Sequence, residues 1–80
     1  MYYTYVARSL KDGSYYKGYC EHLDKRLEQH NSGMTKSIRH LLPFEIIYFE
    51  EFNILEESIK REKYFKTAAG GRYLKKKLAS

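Results

Sequence analysis

Eighty residues make one small domain with a modest hydrophobic core, and they carry a single cysteine, three histidines and a formal charge of +5. A lone Cys20 excludes an intramolecular disulfide, one cysteine with three scattered histidines falls short of a four-ligand structural zinc site, and no apolar run nears the ~20 residues needed to cross a bilayer. The opening Met1-Tyr2-Tyr3-Thr4-Tyr5 lacks the basic and apolar regions of a signal peptide, so the expected setting is a reducing cytoplasm with no membrane association.

Tyr2 to Ser9 alternates and is rich in aromatic and β-branched residues, which predicts a strand. Lys11-Asp12-Gly13-Ser14 has hairpin-turn chemistry, and Ser14 to Cys20 returns as a second strand. Gly18 inside that strand costs stability and marks a bulge or the close approach of a ligand. Leu23 to Asn31 predicts a helix stopped by Asn31-Ser32-Gly33, with Arg26 and His30 side by side at the edge of a thin apolar stripe. From Met34 to Pro43 the pattern is irregular, and Pro43 ends it. Phe44 to Phe52 is a third strand. A long helix is expected from Ile54 to Ala69, broken by Ala68-Ala69-Gly70-Gly71, and Arg72 to Leu78 forms a short basic helix. The expected fold is therefore α/β, a single small domain of order ββαβαα, its three-stranded, mainly antiparallel sheet flanked by helices.

Glu62 sits where a carboxylate should not be. On the helical wheel, Ile54, Leu55, Ile59, Phe65 and Ala69 share one arc, and Glu62 falls near its middle. A buried carboxylate must meet a cation, a metal or several donors, or take up a proton. An arginine partner would answer it without any catalysis. Charge is also segregated. Five acids and no Lys or Arg lie between Glu45 and Glu57, whereas Ser58 to Ser80 has eight bases against Glu62 alone. That asymmetry suits a polyanion-binding face, and a solvated basic tail is its plain alternative.

Strand parity puts Tyr3, Tyr5 and Ala7 on one face and Tyr16, Gly18 and Cys20 on one face of the second strand, with Tyr5 and Tyr16 near neighbours across the hairpin. With Arg26, His30 and Glu62 gathered near the same sheet face, the residue types suit phosphodiester cleavage: a carboxylate for a divalent metal, a guanidinium for phosphate charge, and a phenol or imidazole for the proton on water.

Tyr3-Thr4-Tyr5 followed by Tyr16-Lys17-Gly18 resembles the paired motif of the GIY-YIG nuclease superfamily, with Tyr5 eleven residues before Tyr16 and Arg26 ten residues after it. Leu23 to Asn31 is similar to that family's first-helix signature, and Ser58 to Lys66 to the helix bearing its metal-binding glutamate. The likeness covers essentially the whole chain, residues 1–80, and is strongest to the small stand-alone branch, similar to the nuclease module of the bacterial excision-repair incision subunit. Tyr3, Thr4 and Lys17 depart from the family's usual residues at supporting positions. Tyr19 stands where some members have a lysine, and an asparagine that some carry beyond the long helix has no counterpart.

The resemblance implies a metal-dependent DNA endonuclease, with a place in DNA repair or recombination. Glu62 would ligate one Mg²⁺ or Mn²⁺, Tyr5 would act on or position the attacking water, and Tyr16 would bond water or phosphate. Arg26 would bind the scissile phosphate, and His30 would assist in proton handling or phosphate contact. Lys17, Tyr19, Arg61, Lys66 and Arg72 are candidate nucleic-acid contacts. The expected partner is DNA, with RNA open, and a protein partner or a homodimer would supply surface that so small a domain lacks. A nucleic-acid-binding module of the same fold with weak or absent cleavage is the alternative, and a basic interaction protein with no nucleic-acid role is a third.

Overall fold

The central strand of the sheet is the first one, β1 (Tyr2–Ser9), which pairs antiparallel on one side with β2 (Tyr15–Cys20) and on the other with β3 (Phe44–Phe52). Both its edges are therefore paired, helices cover its two faces, and Thr4 to Ala7 are all buried. The computed structural model describes residues 1–33 and 36–79. The β1–β2 turn forms as its residues dictate. Gly13 takes a φ of +79°, and Asp12 Oδ1 accepts hydrogen bonds from the Ser14 backbone N–H and hydroxyl. Between β1 and β3 the register slips by one residue, so that Ala7 opposes Ile46 while Val6 opposes Tyr48, a bulge the alternation of β3 does not announce.

Helix α1 (Leu23–Asn31) packs on one face of the sheet. There Tyr5, Ala7, Ile38 and Phe44 form a core joined by Tyr16, Leu23 and Leu27. Asn31 ends α1 and also clamps it to β3, accepting from the Phe44 N–H and donating to the Phe44 carbonyl. The link from α1 to β3 contains a 3₁₀ turn, Lys36–Leu41, where irregular chain was expected. Met34 and Thr35, the start of that expected irregular stretch, lie outside the described residues.

The opposite face is covered by α2 (Leu55–Phe65) and α3 (Ala68–Leu78), whose Phe65 and Leu74 close over Val6. Full burial of side chains such as these supplies roughly 1.5–3 kcal/mol each. Two expectations need correction here. The long helix stops at Phe65 rather than Ala69, and its first apolar residues, Ile54 and Leu55, are exposed. The apolar arc is thus narrower than the wheel implied, and a buried Ser58 lies on the covered face, its carbonyl accepting from the Thr4 hydroxyl at 2.7 Å. The second correction concerns Gly70 and Gly71, which lie inside α3 instead of breaking a helix. Thr67 begins α3 as its N-cap, its hydroxyl oxygen accepting from the Gly70 N–H. Gly70 is required by packing: a Cβ there would stand 1.8 Å from the Tyr64 carbonyl oxygen, so only a bare α-carbon lets α3 fold back on α2.

Candidate active site

Four of the expected site residues meet on the α1 face. The Tyr5 hydroxyl lies 2.8 Å from His30 Nε2, and Arg26 Nε donates to the same hydroxyl at 3.4 Å. Tyr16 stacks beside Tyr5 at 6.5 Å between ring centroids and meets the edge of the His30 ring at 4.8 Å. The i, i+4 spacing of Arg26 and His30 on α1 is what delivers both to one phenol. Gly18 opposes Tyr5 directly across the ladder, and a Cβ on it would fall 2.6 Å from the Tyr5 hydroxyl. The glycine read from sequence as room for a ligand is, first of all, room for this phenol.

Burial sets the chemistry of the group. Tyr5 is 0% exposed, which pushes its pKa up to about 12 against the opposing pull of the Arg26 hydrogen bond. His30 is also buried, and burial with the nearby Arg26 charge holds its pKa below the usual imidazole value, so its ring is neutral near pH 7. The Tyr5 hydrogen bond raises the pKa of Arg26. Arg26 donates to the phenol oxygen, and the phenol shares a second hydrogen bond with His30 Nε2, whose donor is set by the imidazole tautomer. Among the described residues, Nδ1 is a buried polar atom with no hydrogen-bond partner.

Glu62 reaches the site from the other side of the sheet. The sequence reading placed all five residues near one face, whereas α2 packs opposite α1, and Glu62, one turn beyond the buried Ser58, comes to the free edge of β2. There it lines a cleft of about 400 Å³ together with Tyr16, Lys17, Gly18, Tyr19 and Arg26. Its side chain is 13% exposed, and its cation is Lys66, at 3.1 Å and one turn along α2, rather than the arginine that the sequence suggested as a partner. Tyr5 and His30 do not line this cleft; Arg26 does, and it links the cleft to the Tyr5 hydroxyl.

The other candidates divide. Lys17 and Tyr19 line the cleft, Lys66 is engaged with Glu62, and Arg72 is exposed on α3. Arg61 points elsewhere: it pairs with Glu50 at 2.7 Å, its guanidinium about 5 Å from the centroids of Tyr64, Phe65 and Tyr73. Burial raises the pKa of Glu50, but the hydrogen bonds from Arg61 and Tyr48 outweigh it and hold the carboxyl below the usual range. Sequence reasoning missed Gln29, which accepts from Arg26 Nη1 at 3.3 Å, and Glu21, a second carboxylate on the cleft wall. Gln29 lies three residues from Arg26 on α1, a helical spacing that could have flagged it.

Among the described residues, no three His, Cys, Asp or Glu side chains converge as a metal cage. Mg²⁺ does not need one. It keeps several waters and binds through one or two carboxylates plus substrate phosphate, and Glu62 with Glu21 in a cleft that also holds Arg26 fits that mode.

Residues 1–76 match the family model described as the GIY-YIG catalytic domain. The chain is 36% identical over 74 residues to a UPF0213 protein of Staphylococcus saprophyticus, covering 91% of this chain and 89% of that one. It is 43% identical over 65 residues to a UPF0213 protein of Bacillus licheniformis, of whose length it spans 66%. The solution NMR structure of a UPF0213 protein from Bacillus halodurans superimposes with a TM-score of 0.53 at 32% identity, covering 92% of this chain and 82% of that one. Motif, sheet and relatives agree, and the chain belongs to the GIY-YIG catalytic-domain family.

Proposed function

We propose that the whole chain works as one divalent-metal-dependent endonuclease unit that hydrolyses DNA phosphodiester bonds in the cytoplasm, in repair or recombination. The observation that supports this most directly is the cleft at the β2 edge, to which three separate elements bring Tyr16, Arg26 and Glu62. In this reading Arg26 binds the scissile phosphate and offsets the charge that builds on its oxygens as water adds and the P–O bond to the leaving oxygen breaks. Tyr16 orients the water or a phosphate oxygen. Glu62 holds the Mg²⁺ or Mn²⁺, which when bound supplies positive charge beside the phosphate. Tyr5 is fully buried and does not line the cleft, so its part is to hold Arg26 and His30 in place through its hydroxyl, which hydrogen-bonds to both. Cleavage should then fall as pH drops and His30 becomes protonated.

Purified protein is incubated with nicked, flapped and branched DNA plus Mn²⁺, beside Glu62→Ala and Arg26→Ala. Cleavage lost in both variants, by about 10²-fold or more, supports the enzyme; cleavage that survives either change sinks it. The second reading, a binding module with no turnover, has the Glu62–Lys66 pair in its favour, because the ammonium already neutralises the carboxylate a metal would need. Its mark is DNA or RNA binding without cleavage in any divalent metal. Retention of a protein partner, or self-association in solution, would enlarge the contact surface under either reading.

A further inference from the structure

Nine tyrosines are present, and most are accounted for by packing. Tyr3, Tyr5, Tyr16, Tyr48, Tyr64 and Tyr73 each touch another ring, and Tyr2 is half-buried. Tyr15 and Tyr19 are different. They are 45% and 39% exposed, and among the described residues neither has a ring, hydrogen-bond or ion-pair partner; the same is true of Lys17 between them. The three alternate along β2, so they share one face of an edge strand whose other face carries Tyr16, Gly18 and Cys20. The β2 ladder has no register shift, so the row Tyr15, Lys17, Tyr19 is straight, with about 6.6 Å between successive members.

We propose that this row binds an unpaired DNA strand and feeds it into the cleft, Tyr15 and Tyr19 stacking on bases and Lys17 meeting the backbone between them. Three observations favour that occupant. The row is continuous with the cleft, which Lys17 and Tyr19 line alongside Arg26 and Glu62. Its charge is complementary to a phosphate backbone. Its two rings stand four residues apart, about 13 Å, far more than the roughly 3.4 Å between bases stacked in a duplex, whose faces are already covered, so a stretched, unpaired strand is what presents a base face to each ring. The inference rests on the nucleic-acid reading of the cleft and names its substrate class as single-stranded segments, such as flaps and frayed ends.

The test is binding in EDTA, where no turnover occurs, using fluorescein-labelled oligo-dT and a blunt duplex of equal length. Tyr15→Ala/Tyr19→Ala should weaken oligo-dT binding at least tenfold and duplex binding less than twofold, while Tyr15→Phe/Tyr19→Phe keeps oligo-dT affinity within twofold. Lys17→Ala should lower the log–log salt slope for oligo-dT by about 0.7. Equal losses on both probes, no loss on either, or tighter binding of a matched RNA than of oligo-dT overturns the assignment. The two readings fail separately. A chain that cuts no DNA with any metal, yet loses oligo-dT through the Ala pair, ends the nuclease proposal and keeps the row. A chain that cuts branched DNA equally well with and without the Ala pair keeps the nuclease and ends the row.

Discussion

The two faces of the sheet are built on different physical terms. On the α1 face, polar groups are taken inside: the Tyr5 phenol, the His30 ring and part of Arg26 share hydrogen bonds away from water, and burial shifts their proton affinities. On the α2–α3 face, the interior is held by Phe65, Leu74 and Val6, while the charges of Arg61 and Glu62 stay near the rim, each beside an opposite charge. One face holds a buried polar cluster and the other supplies anchorage. The cleft forms where both meet at the edge of β2, which explains how so small a domain can hold a buried polar cluster without losing its core.

Separate variants on each face test that division. The largest effect on stability should come from Phe65→Ala, at about 3–5 kcal/mol, which would leave a domain of ordinary stability barely folded; urea denaturation measures it. Arg26→Ala, from the other face, should cost less than about 1 kcal/mol by the same measurement while lowering cleavage about 10²-fold or more. If instead it unfolds the chain, the α1 face is structural and the contrast fails. Gly18→Ala is expected to cost about 1–3 kcal/mol, because its methyl group meets the Tyr5 hydroxyl and ring, and it should disturb the tyrosine near-UV signal.

Titration sharpens the contrast further. His30 has a lowered pKa in the folded state, so the unfolded chain takes up its proton first as pH falls below the ordinary imidazole value of 6.5. Stability associated with this ring is therefore present above about that pH and lost on acidification, and His30→Gln should flatten the slope between pH 7.5 and 5 in a thermal-melt series. Tyr5 acts at the other end. Its raised pKa contributes stability below pH 10, where the unfolded phenol is still protonated, and that contribution is lost between 10 and about 12. The smallest effect should be that of Lys66→Met, about 0.5 kcal/mol or less, since an i, i+4 pair with one exposed partner adds little. The same change uncovers Glu62 and should tighten Mn²⁺ binding, read by calorimetry.

Much of this was legible from residue order alone. The limits of β1, α1 and β3 follow from local periodicity and end signals, because alternation, helical spacing and stop residues act over a few neighbours. Parity likewise puts Tyr5 and Tyr16 on one face, and the i, i+4 step joins Arg26 to His30. Tertiary structure decided what local pattern cannot reach: that Glu62 approaches from the opposite face and meets Lys66, that Gly18 makes way for a phenol, and that Gly70 lets one helix close on another. The physical reason is range. Periodicity fixes which way a side chain points from its own element, but burial, pKa and partnership depend on atoms brought close by packing between residues far apart in the chain, and those distances exist only once both faces of the sheet are covered.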